Sequence, residues 1–197
     1  MKKYLLALLL SVFALNVNAA IITYVHTGFG SGGIGDTTFG DAAPLAFSIT
    51  ATGNTDNVDT CGASCFFIDN ITASINIDTL GTFKFITPTR FFSTSGGVVG
   101  FSRAGASDSD LFDGPTISTP WDMLSSIGPI AGTGELLQWT VPQVLTDGGV
   151  LFFNDGTSAS TFTATVGAVP EPETYAMMLA GLGLMGLVAR RRKENQS

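Results

Sequence analysis

The chain has 197 residues, 24 of them glycine, and a formal net charge of −7 at pH 7. Its middle part, residues 20–168, is more acidic than this figure suggests, because it holds three cations against thirteen acids. So large an excess of negative charge argues against a nucleic-acid partner, whose phosphates would be repelled. The length of this part suits one domain of ordinary size.

The first nineteen residues are typical of a secretory signal peptide. Lys2 and Lys3 form a positive n-region, residues 4–15 form an apolar h-region, and Val17-Asn18-Ala19 supplies the small residues of a signal-peptidase site. We therefore expect cleavage after Ala19. An uncleaved N-terminal anchor is the weaker alternative, because the apolar run is short and a cleavage site ends it.

Residues 20–168, the body of the chain, have the composition of a β protein: Gly, Ser, Thr and Phe dominate, whereas Leu, Lys, Glu and Arg are sparse. Alternating apolar residues between Gly, Asn and Asp turns predict eight to ten short strands. The predicted strands are residues 21–26, 47–52, 66–77, 82–87, 90–94, 98–103, 135–144, 150–154 and 161–166. Residues 27–41 are expected to form a long glycine-rich loop, and residues 107–128 to be irregular.

Short strands with frequent turns predict an all-β fold, an antiparallel β-sandwich with either a jelly-roll-like or an Ig-like topology. A β-helix is the alternative, and the lack of a fixed repeat period argues against it. The sandwich would lie between the signal peptide and a single short C-terminal transmembrane helix.

Cys61 and Cys65 are the two cysteines of the chain. In an exported protein, a pair at this spacing predicts a local disulfide. Half of a metal site is the alternative, but the chain offers only one histidine, His26, as a further ligand of the usual kind.

The segment from Asp108 to Gly114 places three carboxylates close together, at Asp108, Asp110 and Asp113. Calcium is the ion that such oxygen ligands in a loop would take. The segment departs from an EF-hand loop, because its third acid falls one place late and Thr119 stands at the twelfth position. A second, weaker calcium candidate combines Asn54, Asp56 and Asp59. The alternative for both is a set of solvated turn acids that bond to their own backbone.

Few residues suit catalysis, so we do not expect an enzyme. His26 is the single histidine, the two cysteines are expected to be paired, and Glu135 is the single glutamate of the body. Trp121, Trp139 and the paired phenylalanines would serve either the core or an exposed platform for sugar rings, and the core is favoured. The paired phenylalanines are Phe66-Phe67, Phe91-Phe92 and Phe152-Phe153.

The last 29 residues have three parts in a fixed order: Pro170-Glu171-Pro172, an uncharged apolar run over residues 175–189, and the basic cluster Arg190, Arg191, Arg192 and Lys193. As a helix the apolar run would be about 22 Å long, shorter than the roughly 30 Å hydrocarbon core of a bilayer. The basic cluster would stop transfer and stay on the cytoplasmic side. A buried core helix is the alternative, against which the four consecutive cations argue.

This tail resembles the PEP-CTERM sorting signal of exported bacterial proteins, in its Pro-Glu-Pro motif, its short apolar helix and its basic end. The resemblance covers residues 169–197 and implies recognition by an exosortase, a membrane cysteine protease-transpeptidase. It also implies processing near Pro170-Glu171-Pro172 and a host that makes exopolysaccharide.

Together these features predict a non-enzymatic exported protein with a structural or adhesive role. It would meet signal peptidase and an exosortase, stay briefly in the inner membrane, and end at the cell surface or in the exopolysaccharide matrix. The alternative function is a carbohydrate-binding module, with calcium as the one cofactor considered. A secreted glycan-active enzyme is the third hypothesis.

Overall fold

The computed structural model describes residues 20–63, 65–105, 110–137, 143–167, 179, 181–183 and 185. Of these, residues 20–167 with their gaps form fifteen strands and a single 3-10 turn, Thr55–Asn57. The strands are β1 Ile21–Gly30, β2 Gly32–Ile34, β3 Thr37–Phe39, β4 Leu45–Asn54, β5 Asp59–Gly62, β6 Cys65–Asp69, β7 Thr72–Ile77, β8 Gly81–Lys84, β9 Thr89–Ser93, β10 Val98–Arg103, β11 Asp110–Thr116, β12 Ile127–Leu136, β13 Val144–Thr146, β14 Gly149–Phe153 and β15 Gly156–Val166.

The strands form two sheets. Eleven strands pair in the order β5-β6-β9-β10-β11-β12-β15-β1-β4-β7-β8, and four pair in the order β13-β14-β2-β3. Each strand pair is antiparallel. The prediction of an antiparallel all-β fold is therefore confirmed.

The eleven-stranded sheet folds over on itself around one core. Phe91 on β9 stacks on Tyr24 of β1 with ring centroids 4.6 Å apart, although four strands separate β9 from β1 in the sheet. The Phe91 ring also lies 5.7 Å from Phe162 on β15. Facing layers with inward aromatic side chains agree with a sandwich, while the jelly-roll or Ig type stays a prediction.

The four-stranded sheet closes another part of the same core. Phe153 on β14 packs 4.9 Å from Phe47 on β4 and 5.9 Å from Phe39 on β3, measured between ring centroids. All three rings are buried. Burial of large apolar side chains, at about 25 cal/mol per Å², is the main stabilising contribution in such a core.

Several predicted elements are present. The strand predicted at 47–52 lies within β4, and the two predicted hairpins are formed by β7 with β8 and by β9 with β10. The segment predicted as one strand over 66–77 is instead two strands, β6 and β7. They are separated at Asn70 and Ile71, and Ile71 is 59% exposed.

Two other predictions were wrong, and a third is only partly described. The expected loop over 27–41 contains the end of β1 and all of β2 and β3. The expected irregular segment 107–128 contains β11. The strand predicted over 135–144 lies partly outside the described residues, which break off after 137 and resume at 143. Its first two residues end β12, and Val144 begins β13. Glycine within strands misled the prediction, because glycine has low strand propensity and no side chain to show the alternation.

The two predicted targeting segments lie largely outside the described residues. The signal peptide, residues 1–19, lies there entirely, as do Pro170, Glu171, Pro172 and the basic cluster 190–193. Of the predicted helix 175–189, Leu179, residues 181–183 and Met185 are described, and they are helical. Among the described residues, no helix has both the length and the hydropathy that a membrane span requires.

Candidate functional site

The outward side of four neighbouring strands, β15, β1, β4 and β7, has an unusually uniform composition. Along each strand, successive side chains point to opposite sides of the sheet. One set points inward and is fully buried, as Tyr24, Ile49 and Phe162 are. The alternate set points outward, and it is this set that forms the surface.

The strand registers align the outward residues into three rows of four, running across β15, β1, β4 and β7. The rows are Thr165, Thr23, Thr52 and Thr72; Thr163, Val25, Thr50 and Ser74; and Thr161, Thr27, Ser48 and Asn76. Ten of these twelve side chains carry a hydroxyl, and all twelve are exposed or half-buried. We call this surface the hydroxyl face. Neighbouring positions are about 4.8 Å apart across strands and about 6.7 Å apart along them.

Cross-strand hydrogen bonds orient part of the hydroxyl face. The Thr52 and Thr72 hydroxyls lie 2.7 Å apart, and the Thr27 and Thr161 hydroxyls also form a pair. At the edge of the face, Asn76 Nδ2 donates to Thr82 Oγ1 on β8 at 2.8 Å. Each hydroxyl has one donor and two acceptor lone pairs, so paired hydroxyls keep acceptor capacity toward solvent or a ligand.

A cleft of about 340 Å³ opens at one end of the hydroxyl face. It is lined by Thr27, Gly28, Phe29, Ala46, Phe47, Ser48, Asn76 and Asp78. Phe29 follows Thr27 by two residues on β1, so its ring points to the same side, and 50% of Phe29 is exposed. The cleft thus joins an exposed aromatic ring to hydroxyl, amide and carboxylate groups.

The expected calcium loop is only partly described. Asp108 lies outside the described residues, whereas Asp110 and Asp113 lie on β11, a strand rather than a loop. Among the described residues, no group of three or more His, Cys, Asp and Glu side chains is arranged to hold a metal. Calcium binding by Asp108, Asp110 and Asp113 therefore stays a prediction.

Asp113 has an unusual environment. Glu135 on β12 is its cross-strand partner, and Asp113 Oδ1 is buried with no hydrogen-bond partner in the described structure. Burial, together with the charges of Asp110 and Glu135, raises the pKa of Asp113 to about 7. This carboxyl pair was not visible in the sequence, because 21 residues separate its members.

The second calcium candidate and the cysteines have structural roles in the described chain. Asn54 accepts a hydrogen bond from the backbone N–H of Asp56 at 2.9 Å and caps the 3-10 turn. Cys61 and Cys65 form a disulfide, with Cα atoms 5.2 Å apart, across the β5–β6 hairpin. The predicted disulfide is confirmed, and it leaves neither thiol for a metal.

His26 is a core residue. It is fully buried, its ring stacks on Phe112 with centroids 4.2 Å apart, and Nε2 lies 3.2 Å from Ser160 Oγ. Burial lowers the pKa of His26 to about 3, despite a hydrogen bond with the Gly114 backbone that raises it. His26 is therefore neutral at physiological pH and shielded from solvent.

Most of the aromatic residues considered for a sugar platform are covered. Trp121 is 5% exposed, and its Nε1 donates to the Ser125 carbonyl at 3.0 Å. Trp139 lies outside the described residues. Phe91 and Phe153 are fully buried, whereas Phe66, Phe67 and Phe152 are half-buried. Phe29, which the sequence analysis assigned to a loop, is the exposed aromatic ring among the described residues. The alternation of β1 continues past His26, and that pattern could have identified it.

Comparison with known families concerns the tail. Residues 168–193 match the family model of the PEP-CTERM protein-sorting motif. The tail carries a PEP-CTERM motif. The match confirms the resemblance inferred from Pro170-Glu171-Pro172, the apolar run and the basic end. No curated protein and no solved structure matches the chain.

The PEP-CTERM motif indicates an exported protein that passes through the membrane and is processed by an exosortase. It covers 26 residues and leaves the role of the body open. What the body does must therefore be inferred from its own surface.

Proposed function

We propose that this chain is a non-enzymatic exported protein with a structural or adhesive role at the cell surface or in the exopolysaccharide matrix. Signal peptidase cleaves after Ala19, and the helix over residues 175–189 holds the chain in the inner membrane with Arg190–Lys193 on the cytoplasmic side. An exosortase then processes the chain near Pro170-Glu171-Pro172. The body leaves the membrane as a β-sandwich domain.

The PEP-CTERM motif at residues 168–193 is the observation that carries this proposal. The body supports it in a second way, since the single histidine and the two cysteines have structural roles there. His26 lies in the core, and Cys61 is bonded to Cys65. Glu135 is exposed on a strand rather than enclosed in a cleft.

Intact mass measurement of the chain from its native host tests the route. The extracellular fraction should contain a species that begins near Ala20 and ends near Pro170. Replacing Pro170, Glu171 and Pro172 by alanine should trap the chain in the membrane fraction, whereas Pro44→Ala, an exposed proline of the body, should leave release unchanged. Normal release of the triple variant would refute processing through the motif.

Carbohydrate binding is the second candidate function, and the hydroxyl face with its cleft favours it. An array of accessible hydroxyls beside one exposed ring matches the mixed polar and apolar character of sugars. A glycan array, probed with and without a chelator, separates this candidate from a purely structural role and also tests whether calcium takes part.

A further inference from the structure

We propose that the hydroxyl face and its cleft form one binding surface for an extended, uncharged polysaccharide, with the Phe29 ring packed against one sugar ring. This inference rests on the second candidate function above. It assigns the site, the class of glycan and the anchoring residue. No metal ion takes part at this surface.

The chemistry of the face selects a hydroxylated ligand. Ten of its twelve side chains are hydroxyls, each able to donate and to accept, and Asn76 adds an amide that does both. A protein partner would need an apolar centre with aromatic anchors, and Val25 is the one apolar side chain in the three rows. A lipid surface would likewise need apolar or cationic groups.

The charges on and around the hydroxyl face favour uncharged glycans over polyanionic ones. None of the twelve side chains in the rows is ionisable. Asp78 in the cleft is an acceptor for sugar hydroxyls but would repel a uronate or a sulfate. Lys84, the outward neighbour of Ser74 on β8, lies at the margin of the face. A polyanionic glycan would also meet the repulsion of a body with ten more acids than cations.

The cleft supplies an apolar anchor, which the three rows of hydroxyl side chains lack. Its volume of about 340 Å³ lies at the lower end of the range of small-ligand sites, roughly 300–1,000 Å³, which suits one or two sugar rings rather than a long segment. An aromatic ring adds apolar contact area at low cost in side-chain entropy. Phe29 is half exposed, so it offers that area without any rearrangement of the core.

The surface is held in position before a ligand arrives. β1 pairs along its length with β4 and also with β15, and the Phe29 backbone N–H donates to Ser158 Oγ at 2.7 Å. The hydroxyl pairs Thr52–Thr72 and Thr27–Thr161 limit side-chain rotation. Such preorganisation lowers the entropy lost on binding.

Affinity electrophoresis of the full-length chain tests the proposal. Native gels, run with and without a chelator, contain hydroxyethylcellulose, galactomannan or dextran as uncharged polysaccharides, or alginate as a polyanion. A polyoxyethylene detergent that carries no sugar keeps the chain in solution. We expect at least one uncharged polysaccharide to retard the wild type and alginate to have no such effect. Phe29→Ala should weaken the retardation about tenfold, and Thr50→Glu, at the centre of the face, at least as much.

Two control variants match these changes elsewhere on the body. Thr37→Glu places the same charge at an exposed threonine of β3, and Leu124→Ala removes an apolar side chain that is 54% exposed and outside the cleft. Both controls should be retarded like the wild type. Circular dichroism of each variant verifies that it is folded, and Phe29→Ala remains informative if Thr50→Glu fails to fold.

Four results would each overturn the proposal: no retardation by any uncharged polysaccharide, retardation by alginate alone, unchanged retardation of Phe29→Ala and Thr50→Glu, or loss of retardation on chelation. Release of the chain from the host is measured in parallel, so that a failure of glycan binding can be distinguished from a failure of the sorting route. A chain that is released normally but binds no glycan refutes carbohydrate binding and leaves the structural role standing.

Discussion

The two halves of the eleven-stranded sheet share one core but have very different outward sides. On β15, β1, β4 and β7, ten of the twelve outward side chains of the hydroxyl face carry a hydroxyl, and all twelve are exposed or half-buried. On β6, β9 and β11 the outward side chains include the aromatic and charged residues Phe67, Asp69, Arg90, Phe92 and Asp113, while β10 between β9 and β11 presents the smaller Gly100 and Ser102. We call this side the aromatic half. The Arg90 guanidinium lies 4.1 Å from the centre of the Phe67 ring and 3.1 Å from the Asp69 carboxylate.

On the aromatic half the outward side chains pack against neighbouring strands, whereas on the hydroxyl face they remain accessible to a ligand. Phe92, outward on β9, is only 8% exposed because it packs across Gly100 of the neighbouring strand. In contrast, Phe29, outward at the end of β1, is 50% exposed. We therefore expect changes on the aromatic half, and in the core beneath both halves, to affect stability, and changes on the hydroxyl face to affect binding.

The largest expected effect is loss of the core that both halves share. Phe91→Ala removes a fully buried ring that contacts Tyr24, Phe101 and Phe162. It should lower the free energy of unfolding by about 3–5 kcal/mol, measured by denaturant unfolding. Phe29→Ala, the matched change at an exposed ring, should cost about 0.5 kcal/mol or less. Equal losses for the two variants would mean that Phe29 is also part of the core.

A smaller effect is expected from crowding the aromatic half. A methyl group at Gly100 would overlap the Phe92 ring and lie 2.7 Å from Asp113 Oδ1. Gly100→Ala should therefore cost about 1–3 kcal/mol of unfolding free energy. Gly96→Ala, in the turn between β9 and β10, meets nothing closer than 3.7 Å and should be nearly neutral. If Gly100→Ala left the unfolding free energy unchanged, Phe92 would be free to move aside. That result would contradict the tight packing assigned to the aromatic half.

Local patterns predicted part of this fold, and tertiary contacts determined the rest. Alternation of Phe47, Ile49 and Ala51 identified β4, because one side of that strand faces the core and the other faces solvent. β12 was missed because glycine and proline hide its alternation. Close neighbours leave no room for a side chain at some of its glycines: a methyl group at Gly134 would lie 2.6 Å from the Phe112 ring. Such a requirement is absent from any local pattern.

The candidate site was less predictable than the fold. The threonines of β15 and β1 alternate visibly in the sequence, but Thr165 and Thr23 lie at opposite ends of the body and meet only through strand pairing. Register between distant strands is set by which side of each strand is buried, so the three rows appear only in the folded chain. The sorting motif, in contrast, was recognisable because its residues are contiguous in the sequence.

The acidic cluster on the aromatic half should make stability depend on pH. An unfolded aspartate titrates near 3.9, whereas the folded Asp113 titrates at about 7 because of burial, Asp110 and Glu135. Between these values the folded state keeps a proton that the unfolded state has released, so this carboxyl lowers stability as pH rises. Allowing for solvent screening, Asp113→Asn should be about 1–2 kcal/mol more stable than wild type at pH 8.

Denaturant unfolding at pH 4 and at pH 8 measures this effect, and the advantage of Asp113→Asn should disappear at pH 4. Asp155→Asn, in an exposed position between β14 and β15, controls for the loss of one negative charge. An advantage of the same size at both pH values would assign the effect of Asp113→Asn to packing instead of ionisation.

The smallest expected effect is the most informative about the hydroxyl face. Thr52→Val and Thr72→Val each remove one partner of the 2.7 Å hydroxyl pair while keeping shape and strand propensity. Each should change the unfolding free energy by about 0.5 kcal/mol or less, and a double-mutant cycle should give a coupling of roughly 0.2–1 kcal/mol. The same variants should nevertheless weaken retardation by an uncharged polysaccharide.

Thr146→Val provides the contrast, because the Thr146 hydroxyl is buried, donates to the Gly149 carbonyl at 2.9 Å and accepts from the Gly148 N–H. Its loss should cost about 1–3 kcal/mol, since a buried backbone group is left unpaired. If Thr52→Val lowered the unfolding free energy as much as Thr146→Val, the exposed hydroxyls would be needed for stability. The hydroxyl face and the aromatic half would then both serve the fold. A small cost in stability combined with weaker glycan retention has a different meaning. It would mean that the hydroxyl face contributes little to holding the fold together and serves mainly as the surface on which a ligand lies.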